Sequence, residues 1–394
     1  MKIGLVLALA PGYSETFFRT KIKGLQESGH KVVLFCNSDK VGFDLCEIQS
    51  FPKRDSLVLL QVGRLILEYI SLLPFANRVI RFIREEREHK ITWRAIFKRI
   101  YQNSPILRSD LDWLHFGFGT LALGRESLGK AIGANTAVSF RGFDISIYPL
   151  KNPGCYTRLW QYVDKVHVIS EDIKQLIYDN GFSNEAPVVK ITPAINIDLF
   201  CENEISTYLE YPIKLVTVSR LHWIKGLVYI LEALAILKLQ GLKFQYTIIG
   251  EGPELERLKY ITHQLKLEDE VVFFGKFEHS EVKNYLRKSD IYVQYSLHEG
   301  FCNAVLEAQA IGLLCVVSDA GGLSENVLNG ITGWVVPKGD SICLAKAINN
   351  VITLPEDTLY AIKKVARNRI QKDFNVTNQN DAFLAFYNQN LKKI

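Results

Sequence analysis

The chain has 394 residues, 48% hydrophobic and 23% charged, with a formal net charge of +5 at pH 7. That length exceeds one ordinary core and predicts two domains of near-equal size, and the composition is that of a soluble enzyme. A charge of +5 is too small to argue for a nucleic-acid partner, and no run of about eighteen uncharged apolar residues predicts a membrane span. Seven cysteines, an odd number without a C-x-x-C pair, fit a reducing compartment and offer no metal framework. The expected location is the cytoplasm.

In chain order, Met1 to Ala10 has the single Lys and apolar centre of a short signal peptide, but it reads better as a first buried parallel strand. The strand Lys2 to Ala8, the turn Pro11-Gly12-Tyr13-Ser14, a helix from Glu15 to Ser28 and the strand His30 to Cys36 form one βαβ unit. From Leu57 to Arg108 come long apolar runs and a basic cluster that includes Arg78, Arg81, Arg84, Arg87, Arg94 and Lys98. The spacing of Arg78, Arg81, Arg84 and Arg87, with Val79, Ile80, Phe82 and Ile83 as an apolar side, suits either an amphipathic helix on an anionic membrane surface or a solvated helix covering the sheet. Further strands are expected at 111–116, 136–140, 165–169 and 188–191. Phe200 to Pro212, polar and without pattern, reads as a linker.

The second half restarts with a strand at 214–219, a helix from Gly226 to Leu239 and a strand at 244–250, and further strands are expected at 270–274, 291–295, 314–318 and 333–336. The predicted domains are 1–205 and 206–375, with 376–394 as a helix packing back on the first. The fold class is α/β, with two doubly wound sheets whose facing strand ends form a cleft.

Two elements carry the chemistry. Asp290 to Ser296 reads as a buried strand that delivers Glu299 to its C-terminal end, and Asn303 to Ile311 reads as a helix with Glu307 about one turn inside. The N–H groups at a helix start favour phosphate, while flanking carboxylates suit hydroxyls, so the ligand carries both phosphate and sugar. The second element is the loop Ser219-Arg220-Leu-His-Trp-Ile-Lys225-Gly226, where a guanidinium fork and a compact ammonium could neutralise a diphosphate.

With Ile249-Gly250-Glu251-Gly252-Pro253, Phe274-Gly275 and Gly321-Gly322, these motifs resemble glycosyltransferase family 4, the retaining sugar transferases. In the first half, Ser14-Glu15-Thr16, His115-Phe116-Gly117 and Ser139-Phe-Arg141-Gly142-Phe-Asp144 are similar to the versions that assemble bacterial exopolysaccharide, capsule or lipopolysaccharide. The resemblance implies a GT-B architecture, a UDP- or GDP-sugar donor held by the C-terminal domain, and a glycan or polyprenyl-diphosphate-linked acceptor held by the N-terminal one. The residues themselves, with no D-x-D element at a strand end, predict transfer without a metal, and the expected location is the cytoplasm with peripheral contact at the inner membrane face as an open reading.

Carried over by position, Arg220 and Lys225 grip the diphosphate, Glu299 contacts the transferred sugar, and Glu307 takes the ribose hydroxyls. Backbone groups of Gly300, Phe301 and Cys302 approach the phosphates, Gly12 caps the diphosphate from the other domain, and the base lies along Phe274 to Phe277. Arg141 stands where many relatives have a histidine near the reacting carbon; it can hydrogen-bond a sugar oxygen or phosphate, or pair with Asp144 to brace its loop. His115 suits the cleft or a packed interior, and Glu15 a helix cap or an acceptor contact. No cluster has metal spacing. Two alternatives stay open: a nucleotide-sugar epimerase of the same architecture, which needs acid–base residues not identifiable here, and a noncatalytic assembly scaffold, which need not keep Arg220, Lys225 and both glutamates. A dehydrogenase lacks support, since Pro11-Gly12-Tyr13-Ser14 has no G-x-G-x-x-G turn.

Overall fold

A computed structural model describes residues 1–12, 16–37, 43–53, 56–201, 204–206 and 208–388. Ser14 and Glu15, singled out above, lie outside the described residues. The chain divides into two compact units, Met1–Ile191 with Asn380–Ile394, and Thr192–Gln379.

The first unit is built on β1 (Lys2–Val6), β2 (Lys31–Cys36), β3 (Glu47–Ser50), β4 (Trp113–Phe116), β5 (Asn135–Phe140), β6 (Lys165–Val168) and β7 (Val188–Lys190). They form one sheet in the order β3-β2-β1-β4-β5-β6-β7, with each pair parallel. Its central strands are buried almost throughout, which is why they read as continuous apolar runs. The edge strand β3, Glu-Ile-Gln-Ser, buries only Ile48 and carries no such run; the sequence reading missed it. Helices α1 (Thr16–Glu27), α2 (Val58–Ser71), α3 (Ala76–Glu88), α4 (Trp93–Gln102) and α5 (Glu171–Asp179) belong to this unit. The C-terminal helix Val376–Asn388 brings Phe383, Phe386 and Tyr387 into the core around Ile3, Leu5 and Ile22.

The second unit holds β8 (Ile213–Val218), β9 (Phe244–Ile249), β10 (Val271–Phe274), β11 (Ile291–Gln294), β12 (Leu314–Ser318) and β13 (Trp334–Val336) in the order β10-β9-β8-β11-β12-β13. Helix α6 (Leu227–Leu239) is apolar on nearly every side, and Ile230, Leu231, Leu234 and Leu237 are buried. Helices α7 (His279–Arg287), α8 (Asn303–Ile311) and α9 (Glu356–Asp373) follow. The segment from Thr192 to Phe200 belongs to this unit because it is bonded to the unit's far end: the Ile195 N–H donates to Phe374 O at 3.0 Å, and Gln379 Nε2 donates to Thr192 O at 2.6 Å. The division therefore falls before the polar stretch 200–212, where the sequence suggests a linker.

In both sheets the strand order reverses beside the first strand: β1 lies between β2 and β4, and β8 between β9 and β11. Each reversal opens a crevice at the strands' C-terminal ends, the usual ligand position in open α/β sheets.

Candidate functional site

In the second unit the chemistry-bearing residues converge at that reversal. Strand β8 runs into Ser219-Arg220, and β11 into Tyr295 through Glu299. The two following loops are joined by the Leu297 N–H donating to Ile224 O at 2.8 Å, and Thr217 Oγ1 ties the strands by donating to Val293 O at 2.6 Å. Lys225 ends a single turn of 3₁₀ helix, and Gly226 then adopts φ +61°. A Cβ there would sit 2.1 Å from Tyr295 O, so only glycine lets the two loops come this close.

This closure brings Lys225 and Glu299 together. Lys225 Nζ donates to Glu299 Oε2, and both side chains are 13% exposed. Ser296 Oγ donates to the same oxygen at 3.1 Å and is itself held by Gln294 Nε2 at 2.8 Å. Burial pulls the Lys225 ammonium down, but the Glu299 charge outweighs it, so its pKa stands above the ordinary lysine value. Arg220 is exposed, and its positive charge repels that of Lys225, pulling the Lys225 pKa slightly down. Two cations are thus held at one strand-end crevice, one fixed by a largely covered carboxylate and the other facing solvent.

Helix α8 starts beside them. Cys302 is its N-cap residue, and Asn326 clamps that residue's backbone, accepting from the Cys302 N–H at 2.9 Å and donating Nδ2 to its carbonyl at 3.1 Å. With the Cys302 amide engaged, the free donors of this helix start fall to the residues after it. Burial and the Glu299 charge push the Cys302 thiol up to about 12, so it stays neutral. The chain before the helix is fixed by the Gly322 N–H donating to Glu299 O at 2.9 Å. Gly322 also lets the backbones meet, for a Cβ there would sit 2.0 Å from Gly300 O. Gly300 and Phe301 are buried, and Phe301 packs against Phe374 with ring centroids 5.7 Å apart.

Glu307 lies on α8 as expected. His279 Nδ1 lies 4.0 Å from its Oε1, and burial pushes the Glu307 pKa up to about 8. A neutral carboxyl at pH 7 donates one hydrogen bond, and once ionised it accepts several. Phe274 ends β10 in a cluster with Phe277 and Tyr285, at centroid distances of 5.4 and 4.9 Å. Ser296, Asn326 and His279 were not found from sequence; the only available signal was the position of each near a strand end or a helix start.

The corresponding crevice of the first unit is chemically different. Arg141 follows β5 with its guanidinium carbon 3.8 Å from the Phe17 ring centroid and 4.6 Å from that of Phe18. Asp144 does brace the loop, but through backbone: its carboxylate accepts from the amides of Arg141, Gly142 and Gly119, each at 3.0 Å. Burial pushes the Asp144 pKa up against these donors. His115 proves to be the packed alternative: it is fully buried, with Nε2 2.7 Å from Ser139 Oγ and Nδ1 bonded to the Tyr387 hydroxyl. Gly12 is exposed at the end of the β1 loop. Among the described residues, no group of three or more His, Cys, Asp or Glu side chains is placed to hold a metal.

A family model described as glycosyl transferases group 1 matches residues 204–369, which contain every site residue of the second unit. The putative colanic acid biosynthesis glycosyltransferase WcaL of Escherichia coli K12 is 31% identical over 402 residues, covering 95% of this chain and 96% of its own. The amylovoran biosynthesis glycosyltransferase AmsK of Erwinia amylovora is 31% identical over 285 residues, covering 69% and 68%. Among solved structures, Anabaena HepE in complex with UDP and glucose superposes with a TM-score of 0.73 at 16% identity, covering 98% of this chain and 99% of that one. The architecture is GT-B. The chain belongs to the group 1 glycosyltransferases and is a transferase.

Proposed function

We propose that this protein transfers a sugar, with retention of anomeric configuration, from a UDP- or GDP-sugar to a lipid-linked glycan during exopolysaccharide assembly. The observation that carries this reading is the largely covered Lys225–Glu299 pair beside Arg220, at the strand reversal and next to the start of α8. The relatives named for colanic acid and amylovoran biosynthesis support the polysaccharide assignment. HepE, solved with UDP and glucose, supports the donor class.

In this reading the diphosphate meets Arg220, Lys225 and the amides at the start of α8, without a metal. Lys225 keeps its bond to Glu299, since an ammonium has three donors and can serve both. Glu299 is assigned to the sugar being transferred, and Glu307 to the ribose hydroxyls. As the bond to the anomeric carbon breaks, negative charge grows on the leaving oxygen, where these prearranged donors act. The departing phosphate takes the acceptor's proton on the same face of the sugar. Phe274 is assigned to the base, Gly300 and Phe301 to the phosphates, and Gly12 and Arg141 to the acceptor-binding unit's share of the substrates. In the absence of an acceptor base this route leaves the carboxylates for binding, unlike retaining glycosidases, which use one as a nucleophile.

Titration calorimetry with UDP and GDP, followed by hydrolysis and transfer assays with the corresponding sugars, tests the reading. One of the two nucleotides should bind, and Glu307→Ala should weaken it about tenfold by removing a buried hydrogen bond to the ribose. Binding of neither nucleotide would overturn the donor assignment.

A further inference from the structure

Helix α2 is folded inside out. Its polar side chains face the protein: Gln61 Nε2 donates to the Tyr101 hydroxyl at 3.1 Å, Arg64 to Lys53 O at 3.4 Å, and Glu68 accepts from Ser104 Oγ at 2.6 Å and pairs with Arg108 at 3.1 Å. Its apolar side chains face outward, and none of its residues is buried. Leu59 is 87% and Leu67 68% exposed, and Val58, Ile66, Ile70 and Leu73 are exposed with them. A water-facing helix shows the reverse arrangement, so this face is built for a medium less polar than water.

Charge identifies that medium. On α3, α4 and the turn between them, Arg81, Arg84, Arg87, Lys90, Arg94 and Lys98 are exposed, whereas of the acids there only Glu88 is. Glu85 and Glu86 are buried in ion pairs with Lys130, Arg99 and Arg158. Between α2 and α4 lies a cavity of about 610 Å³ lined by Leu65, Tyr69, Phe97 and Tyr101, with Arg94 and Lys98 on its wall. Trp93 stacks on Phe97 at the exposed start of α4, with ring centroids 6.2 Å apart. An apolar ridge, an indole and a band of cations together match the acyl region, the interface and the headgroups of an anionic bilayer.

We infer that α2, with the exposed side of α4, is a docking surface for an anionic lipid bilayer, lying in the interface and not spanning it. Its 14 residues measure about 21 Å, short of the roughly 30 Å of a hydrocarbon core. The next helix continues at an angle of 46° and carries three of the cations, Arg81, Arg84 and Arg87. The sequence leaves two readings open for the basic helix that carries Arg78, Arg81, Arg84 and Arg87, a membrane-surface helix or a solvated one. The structure puts the inserting element before it, and ties Arg78 and Arg99 to Asp110 and Glu86 within the protein. This inference deepens the lipid-linked acceptor of the proposed function by locating the membrane contact that such an acceptor requires.

Sedimentation of the full chain with vesicles, without donor or acceptor, tests it independently of transfer. The protein should pellet with vesicles of phosphatidylcholine mixed with phosphatidylglycerol, and far less with phosphatidylcholine alone. Leu59→Ser/Leu67→Ser should abolish pelleting while circular dichroism and nucleotide binding stay unchanged. Arg94→Gln/Lys98→Gln should lower affinity for the anionic vesicles on the order of twentyfold and flatten its salt dependence. No pelleting by the parent chain, or parent-like pelleting by Leu59→Ser/Leu67→Ser, would overturn the inference. So would a dimer seen by light scattering without vesicles, which that variant converts to monomer while vesicles fail to bind, because the face would then join two copies of this chain.

Discussion

The two sheets reverse strand order in the same way, yet the side chains at the two reversals do opposite things. In the second unit, a carboxylate fixes Lys225 and leaves Arg220 toward solvent, so positive charge is held ready for a ligand. In the first unit, the Lys21 ammonium is buried 4.1 Å from the Phe383 ring centroid, Arg141 lies against Phe17 and Phe18, and the acid nearby, Asp144, is spent on backbone amides. One fold thus supplies two crevices, and chemistry is decided by which charges are paired and which are left to act.

The comparison breaks most sharply at Lys225. Lys225→Met leaves the largely covered Glu299 without its cation, and should cost about 3 kcal/mol of stability as well as nearly all turnover. Lys225→Met/Glu299→Gln should regain most of the stability and none of the turnover, which thermal melting and a transfer assay separate. Exposed Arg220 makes the complementary case: Arg220→Ala should slow turnover by about a hundredfold to a thousandfold with the melting temperature unchanged. Equal losses of stability in both variants would remove the distinction between a held and a free cation.

In the first unit the largest effect should fall on folding. Asp144→Ala would strand three amide donors in a buried loop and should cost about 2 to 4 kcal/mol by chemical denaturation. An unchanged midpoint would show that these hydrogen bonds are replaced by water.

Much of this was legible in the sequence, for identifiable reasons. Parallel strands buried on both faces announce themselves as apolar runs, so Lys31–Cys36 or Leu314–Ser318 could be located within a residue or so. That Lys225 and Glu299 belong to one site was accessible because both follow strands of one sheet at their C-terminal ends, but their ion pair was not read. What stayed hidden depends on partners far away in the chain. Asn326 matters because it reaches Cys302, and Thr192 to Phe200 joins the second unit because Ile195 and Thr192 bond to Phe374 and Gln379. The reversed polarity of α2 was hidden too: periodicity reports that a helix has two faces, and only the packing of Glu68 on Ser104 and Arg108 says which one turns inward.

Titration separates the two crevices in the gentlest way. Glu307 holds its proton to about 8 in the folded chain, against an ordinary value of 4.5. Between those values the folded state binds more protons than the unfolded one, so this group's contribution to stability is lost as pH rises through the window. Lys21, His115 and His167 in the first unit are depressed, by burial first and by neighbouring cations second. There the unfolded state binds more protons, so their contribution is lost as pH falls below each group's ordinary value. Denaturation midpoints across pH should therefore respond in opposite senses to two substitutions: Glu307→Gln should remove a decline between 4.5 and about 8, whereas Lys21→Met should remove a rise toward alkaline pH. The Met variant should be at least as stable as the parent at neutral pH, because it replaces a buried ammonium with an apolar chain of similar length. A loss of stability on Lys21→Met would instead mean that its contacts, Nζ 3.4 Å from His115 Nδ1 and 4.1 Å from the Phe383 ring centroid, hold the first crevice together.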